Sequence, residues 1–340
     1  MDLIDLRGVA KVDLHRHLEG AVRLSTVIDL AREAGTPLAA ATPEELAPQA
    51  QVLAPMASLA EVLAYFRVAQ DAFRSLDAVE RIAFEGVEDL AADHVRLAEL
   101  RFSPDFLCRT AGLDWDAAFD AILAGAARAR SGGHDVAVGF IAIVSRAYGM
   151  DSARRTVEFA LRNRERLVGF DLADDEMAWP PRMFAEVLAP LRDAGLPLTA
   201  HYGEAGPASY PREAIEVLGV ARLGHGCSVA EDPEVVAVAR DRGVVLEMCP
   251  TSNERTSAVP SLAAHPARRL LRDGVRVTLN TDDPGLFGIN LTHELEVARG
   301  VLGFDRGDLA AVTRTAIEAS FLAPEVKERV RATHFGWLDG

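Results

Sequence analysis

Four short segments carry the residues of this chain best suited to metal and proton chemistry: LHRHLEG at 14–20, HYGE at 201–204, LGHG at 223–226 and NTDDP at 280–284. Together they supply imidazoles and a carboxylate that could hold one divalent ion. They leave a further imidazole and two further carboxyl groups to work on a substrate. His15 and His17 are two apart in VAKVDLHRHLEG, which reads as a strand. Residues i and i+2 of a strand project to one face, so both imidazoles can reach the same ion. An HxH pair by itself also fits packing; its position at the end of the first strand, where Gly20 turns the chain outward, favours ligation.

The other segments follow the same plan. His201 closes the strand-like LPLTAH, and Glu204 follows three positions on in a glycine-containing turn. His225 stands between Gly224 and Gly226, where missing side chains allow close approach of backbone to a ligand or mark a tight turn. Asp282 and Asp283 follow VTLNT. Consecutive side chains diverge, so the two carboxylates should have different tasks, and one of them could instead cap a helix begun by Pro284. Histidines with an aspartate at strand ends form a nitrogen and oxygen set suited to zinc.

Eight elements must position these groups. Apolar and β-branched runs near 10–16, 96–102, 136–144, 166–172, 196–201, 220–224, 243–248 and 275–281 read as strands. Helical periodicity lies between them, as from Phe184 to Ala194 and from Arg212 to Leu218. Eight strands alternating with helices over 340 residues predict an α/β fold, a (β/α)8 TIM barrel, with 1–340 forming one domain. A doubly wound open sheet competes, but no glycine-rich phosphate fingerprint follows the first strand. About 80 residues separate the first two strands, so extra helices are inserted there. Within this insertion, 36–66 reads as a helical lid, with Leu59, Val62, Leu63 and Phe66 at helical spacing. That stripe fits either a core-facing helix or a lid over the barrel mouth.

Composition narrows the functions. A net charge of −15 argues against nucleic acid as a partner, and apolar content of 49% supports a large core. No apolar run approaches the length of a membrane span, and the N-terminus lacks the basic and apolar pattern of a secretory signal. Cys108, Cys227 and Cys249 form no CxxC pair and are too few for a disulfide framework. These features predict a cytoplasmic enzyme with a small substrate and no membrane partner. His293-Glu294 lacks the second histidine of HExxH, since Val297 stands there. The HxE and PCxxC of nucleobase-type zinc deaminases are absent. A binuclear site would want a lysine near the end of the fourth strand, which instead reads Asp171-Leu172-Ala173-Asp174; this reads as one metal. His94, His134, His265 and His334 read as surface or packing residues, and Cys249 as a small buried hydrophobe.

The segments LHRHLEG, ELRFSP (99–104), GFDLADDE (169–176), HYGEAGP, RLGHG, CPTSN (249–253) and NTDDPGLFG (280–288) occur in one order across nearly the whole chain. In that order they resemble the adenosine and AMP deaminase family of metal-dependent hydrolases. The resemblance implies one Zn²⁺ per chain, held by His15, His17, His201 and Asp282. It implies Glu204 as proton donor to purine N1 and His225 as base and electrostatic partner of the activated water. Asp283 would bond N7, the Asp174 peptide N–H would lie near N3, and Glu19 would face the ribose hydroxyls. The implied reaction removes the 6-amino group of a purine nucleoside, adenosine or deoxyadenosine, with adenine or aminodeoxyfutalosine as alternatives at the same site. A non-catalytic purine-binding relative would need neither a proton donor nor a base. Two positions depart from the pattern: Asp174 stands where glycine is usual, and Glu19 where aspartate marks adenosine-specific members.

Overall fold

The β-branched runs each pair in parallel with the next run along the chain. The computed structural model describes residues 4–36, 38 and 41–339. Among these, the strands are β1 (Lys11–His17), β2 (Val95–Phe102), β3 (Ala137–Ser145), β4 (Gly169–Ala173), β5 (Leu198–Tyr202), β6 (Arg222–His225), β7 (Val245–Met248) and β8 (Arg276–Leu279). They form one sheet in sequence order, curled into the expected (β/α)8 barrel. The sheet returns to its start at a short seam. Asp282 N–H donates to His15 O at 2.8 Å, and His17 N–H donates to Asp282 O at 2.9 Å. Side chains finish the closure: Asn280 Oδ1 accepts from Leu14 N–H, and Asp13 accepts from the Thr281 hydroxyl. Three of the residues singled out for metal chemistry therefore sit on the seam that closes the barrel.

The outer strand faces pack Leu, Val and Phe side chains against the helices, as an amphipathic α/β arrangement requires. The inside differs from the apolar layers common in such barrels. Arg101 bonds Asp171 and Glu247, each at 2.9 Å, while Arg222 bonds Glu99 at 2.5 Å and forms an ion pair with Glu247 at 2.6 Å. All five side chains are buried. Three carboxylates against two guanidiniums leave one negative charge beneath the barrel mouth.

Among the described residues, a 3-10 turn at Glu19–Ala21 and five α-helices occupy the interval between β1 and β2: α1 (Leu24–Glu33), α2 (Pro43–Ala50), α3 (Leu59–Leu63), α4 (Phe66–Gln70) and α5 (Leu76–Ala92). Residues 37, 39 and 40 of the expected lid lie outside the described residues. A capping box between Thr42 and Glu45, with Pro43 in the first turn, starts α2. The periodic stripe at 59–66 is split between α3 and α4. Val62 packs with Val52, Leu286 and Phe287, and Phe66 lies against that cluster. The segment from Arg212 also departs from a plain α-helix: Ser209–Glu213 is α-helical, and Ala214–Leu218 continues as a π-helix that ends at Gly219 in the left-handed region. The helix expected over 184–194 forms at Ala185–Asp193. No helix among the described residues is long and apolar enough to cross a membrane.

Candidate functional site

His15 and His17 share a face of β1, His201 lies on β5, His225 ends β6, and Asp282 follows β8. The barrel brings all of them to its C-terminal mouth. Two of these residues have backbone conformations that side chains disfavour, with φ of 62° at His225 and 60° at Asp282; Asp174 shares this at 88°. Each costs roughly 1–3 kcal/mol and persists only where the surroundings hold it. Glycines supply the remaining room. A Cβ on Gly20 would fall 1.8 Å from Asp283 Oδ1, and one on Gly224 would fall 3.0 Å from His15 Cε1.

The convergence is close. Asp282 Oδ1 lies 3.1 Å from His15 Nε2 and 3.2 Å from His17 Nε2, and the Nε2 atoms of His17 and His201 are 3.2 Å apart. Ligand atoms of His15, His201, His225 and Asp282 all lie within 4.8 Å of one another, as do those of His17, Asp282 and Asp283. His15 Nε2 is buried and makes no well-directed hydrogen bond. Carboxylates behind the imidazoles set their free nitrogens. Glu247 Oε2 accepts from His15 Nδ1 at 2.9 Å, and Asp171 Oδ1 from His201 Nδ1 at 3.1 Å. With Nδ1 protonated, each Nε2 presents its lone pair, the arrangement that tunes metal-binding histidines. Ser252 Oγ donates to Asp282 Oδ2 at 2.7 Å, which orients that carboxylate. Against the upward push of burial, the neighbouring imidazoles of His15, His17 and His225 hold Asp282 well below the usual carboxylate range. The inward nitrogens, an ionised carboxylate and the residual negative charge below them fit one divalent cation.

Carboxyl groups of the opposite character stand next to this cluster. Burial, then the charges of Asp282 and Glu176, push Glu204 up to about 8, so it carries a proton near neutral pH. Glu204 Oε2 lies 3.4 Å from His225 Nε2. The loop that presents Glu204 is wrapped around Glu176, whose carboxylate accepts backbone N–H bonds from Gly203, Glu204, Ala205 and Gly206 at 2.6–2.9 Å. Burial also pushes Asp283 well above its ordinary range, with Asp282, Glu19 and Glu204 adding to it. Glu19 is pushed up to about 7 by burial, although its Oε1 accepts from Ser103 N–H at 2.5 Å. Asp283 Oδ1 and Glu19 Oε2 are buried without partners. Asp174 adopts the glycine-like conformation, and its carboxylate accepts from Ser145 Oγ at 2.6 Å and Asp175 N–H at 3.0 Å. Arg146 clamps the Asp174 carbonyl at 2.8 Å and also bonds the His201 carbonyl.

These groups line one cavity of about 420 Å³. His17, Glu19, Asp174, His201, Glu204, His225, Asp282 and Asp283 face it, while Leu59, Leu63 and Phe66 of the insertion form part of its apolar wall. His15 lies just beneath. All the singled-out residues are therefore gathered at one mouth. Sequence reasoning passed over the groups that hold them: Asp171, Glu247, Arg101, Glu176, Arg146 and Asn253. Charged residues inside strand-like runs, as in ELRF and VLEM, were the available signal. His265, read as a surface or packing residue, is buried and bonded to Asn253 at 3.1 Å. Cys249 is buried, as expected.

Residues 10–333 match the family model described as adenosine deaminase. The adenosine deaminase of Erwinia tasmaniensis is 38% identical over 320 residues, covering 94% of this chain and 96% of that protein. That of Shewanella loihica is 37% identical over 325 residues, covering 96% and 98%. Among solved structures, adenine deaminase from Arthrobacter aurescens superposes with a TM-score of 0.89 at 28% identity, covering 98% of this chain and all of that one. A zinc-bound amidohydrolase from Burkholderia ambifaria gives 0.87 at 27%, covering 100% and 94%. The apo N6-methyl-AMP deaminase of Arabidopsis thaliana gives 0.84 at 27%, covering 97% of each.

Proposed function

This chain belongs to the adenosine deaminase family, and from that premise we propose how its site works and on what. It is a hydrolase that acts on the amino group of a purine. Our reading is that it converts adenosine and deoxyadenosine to inosine and deoxyinosine, releasing ammonia, with one zinc ion per chain held by His15, His17, His201 and Asp282. The convergent nitrogens, the buried Nε2 of His15 and the zinc-bound relative support this choice of metal. When bound, zinc supplies the Lewis acidity that acidifies a water molecule toward neutral pH.

One observation carries the mechanism: a carboxyl group that keeps its proton stands beside a carboxylate that has lost its own, in the same cavity. An aromatic carbon bearing an amino group is a poor electrophile until a ring nitrogen is protonated. Protonated Glu204 donates to N1 and draws electron density from C6, and the oxygen of water adds at C6. One water proton passes to the amino group, which leaves as ammonia, and the other returns to the Glu204 carboxylate as the C6 carbonyl forms. Asp283, also held in its acid form, donates to N7. The Asp174 N–H serves N3, and Glu19, with one oxygen unpartnered, takes a ribose hydroxyl. His225 is the polar partner beside Glu204.

Adenosine is favoured because the relatives at 36–38% identity carry that activity in their names, and because the cavity exceeds what a purine base alone fills. Of the segment read as a lid, Leu59, Val62, Leu63 and Phe66 line the cavity and enclose the ribose end in this reading, as part of a single domain. Free adenine is the second reading, supported by the Arthrobacter structure. The test compares adenosine, deoxyadenosine, adenine and aminodeoxyfutalosine at equal concentration, following loss of amino-purine absorbance, alongside zinc analysis. We expect kcat/KM for adenosine at least about 100-fold above adenine, a ratio expected when buried polar groups lose their partner. Preference for adenine, or two metals per chain, would overturn the proposal. The three buried cysteines suit a cytoplasmic setting for this activity.

A further inference from the structure

Behind His225, on the side away from the cavity, runs a chain of buried hydrogen bonds that no part of the proposed reaction uses. Ala267 N–H donates to His265 Nδ1 at 3.2 Å. A backbone N–H can only donate, so Nδ1 of His265 is the acceptor and its hydrogen lies on Nε2. Burial pushes His265 down to about 4, which leaves it a single ring hydrogen near neutral pH. His265 Nε2 faces Asn253 Oδ1 at 3.1 Å, and Cys249 N–H donates to the same oxygen at 3.3 Å. Two donors aimed at one atom fix which end of the Asn253 amide is oxygen. Its Nδ2 must then point the other way, to His225 Nδ1 at 2.9 Å. Asn253 is fully buried, and neither His225 nor His265 is more than slightly exposed.

We propose that Asn253 and His265 are positioning residues that hold His225 in the Nε2–H tautomer, so that it presents a fixed N–H, not a lone pair, to the reaction centre. The Asn253 amino group occupies the Nδ1 lone pair, which leaves the His225 hydrogen on Nε2. That nitrogen faces Glu204 Oε2 at 3.4 Å and Asp282 Oδ2 at 4.0 Å, both oxygens. Two consequences follow. His225 does not ligate the metal through Nε2, although its ring lies within reach of the cluster. Nor does it take a proton there from water, because the position is filled; a proton on Nδ1 would meet the Asn253 amino group. This narrows the base role implied by family resemblance to that of a hydrogen-bond donor. The inference rests on the deaminase reading for its use of His225, but the tautomer is read independently of turnover.

The test uses the full-length, zinc-loaded protein with ¹⁵N-labelled histidine and a two-bond ¹H–¹⁵N correlation, His225 being assigned from His225→Gln. We expect the pattern of a protonated Nε2 and an unprotonated Nδ1. Asn253→Asp turns the donor into an acceptor at the same place. It should move the His225 hydrogen to Nδ1 and lower kcat by about 10²–10³, the usual cost of one misplaced donor, with KM and zinc content little changed. His265→Gln keeps an N–H for Asn253 Oδ1 and should retain the parental spectrum and rate, whereas His265→Leu should lose both. A parental His225 protonated on Nδ1 would overturn the proposal, as would Asn253→Asp with unchanged spectrum and rate. If Asn253→Asp does not fold, the parental spectrum and the His265 pair decide. Absence of purine turnover with the expected spectrum would sink the deaminase reading and leave the tautomer assignment standing.

Discussion

The barrel mouth has a metal-facing pair of rings, His15 of β1 and His201 of β5, and a third ring, His225 at the end of β6, and it holds these chemically identical groups in opposite ways. Behind His15 and His201 stand the carboxylates of Glu247 and Asp171, which draw the hydrogen to Nδ1 and aim a lone pair inward. Behind His225 stands the amino group of Asn253, which takes the Nδ1 lone pair and leaves the hydrogen aimed inward. One side is built to grip a cation, the other to donate to an oxygen. The difference teaches that a histidine's task is set less by its place at the mouth than by the group behind it. The supports differ in kind as well. Asp171 and Glu247 are themselves held by Arg101, whereas Asn253 is held by a backbone N–H and a neutral ring.

The largest effect that would sharpen this contrast lies at Glu204, which stands between the two sides. Glu204→Gln should retain its zinc and lose on the order of 10³ in kcat, within the range for a general acid. Burial raises the Glu204 pKa above its ordinary value, so the acid form fills below about 8 and empties above it. Parental kcat/KM should therefore fall as pH rises through that region, and the variant's small residual rate should stay flat. A variant with near-parental turnover would remove Glu204 from the mechanism.

A smaller effect tests the gripping side. Asp171→Asn should weaken zinc binding by about 10–100-fold, as loss of a partner behind a metal-binding histidine does, with turnover recovered in excess zinc. Competition against a chelator measures it. Unchanged affinity would mean that the carboxylates are there to pair Arg101 rather than to orient imidazoles. The smallest effect belongs to neither side. Phe66→Ala trims the cavity wall and should raise KM on the order of tenfold, about 1.4 kcal/mol of lost contact, with kcat nearly unchanged. A fall in kcat without a change in KM would show that the inserted helices act on the chemistry and not only on binding.

Much of this was legible along the chain. The eight strands follow from alternating and β-branched runs, and the candidate residues stand out because they cluster where those runs end. Positions such as His15 and His17 are readable since the strand period alone puts both on one face. Glu176 was not readable: it lies 28 residues before Glu204, and only folding closes its carboxylate over the four N–H groups of the loop. Asn253 and His265 carried no sequence signal for His225, because contact between them arises from the packing of successive strand ends. The split of the 59–66 stripe into two short helices was likewise decided by packing against Leu286 and Phe287, far along the chain.

What the sequence determined by itself is the inventory: a parallel α/β barrel, histidines and acids at its strand ends, too few cysteines for a disulfide framework and a net charge of −15 that disfavours nucleic acid. These are properties of residue type and local period. What tertiary structure alone decided is the state of each group. Which nitrogen bears a histidine's hydrogen, and whether Glu204 keeps a proton that Asp282 gives up, depend on burial and on partners arriving from other strands. Such differences are electrostatic and act through space, so they come into being only when the barrel closes.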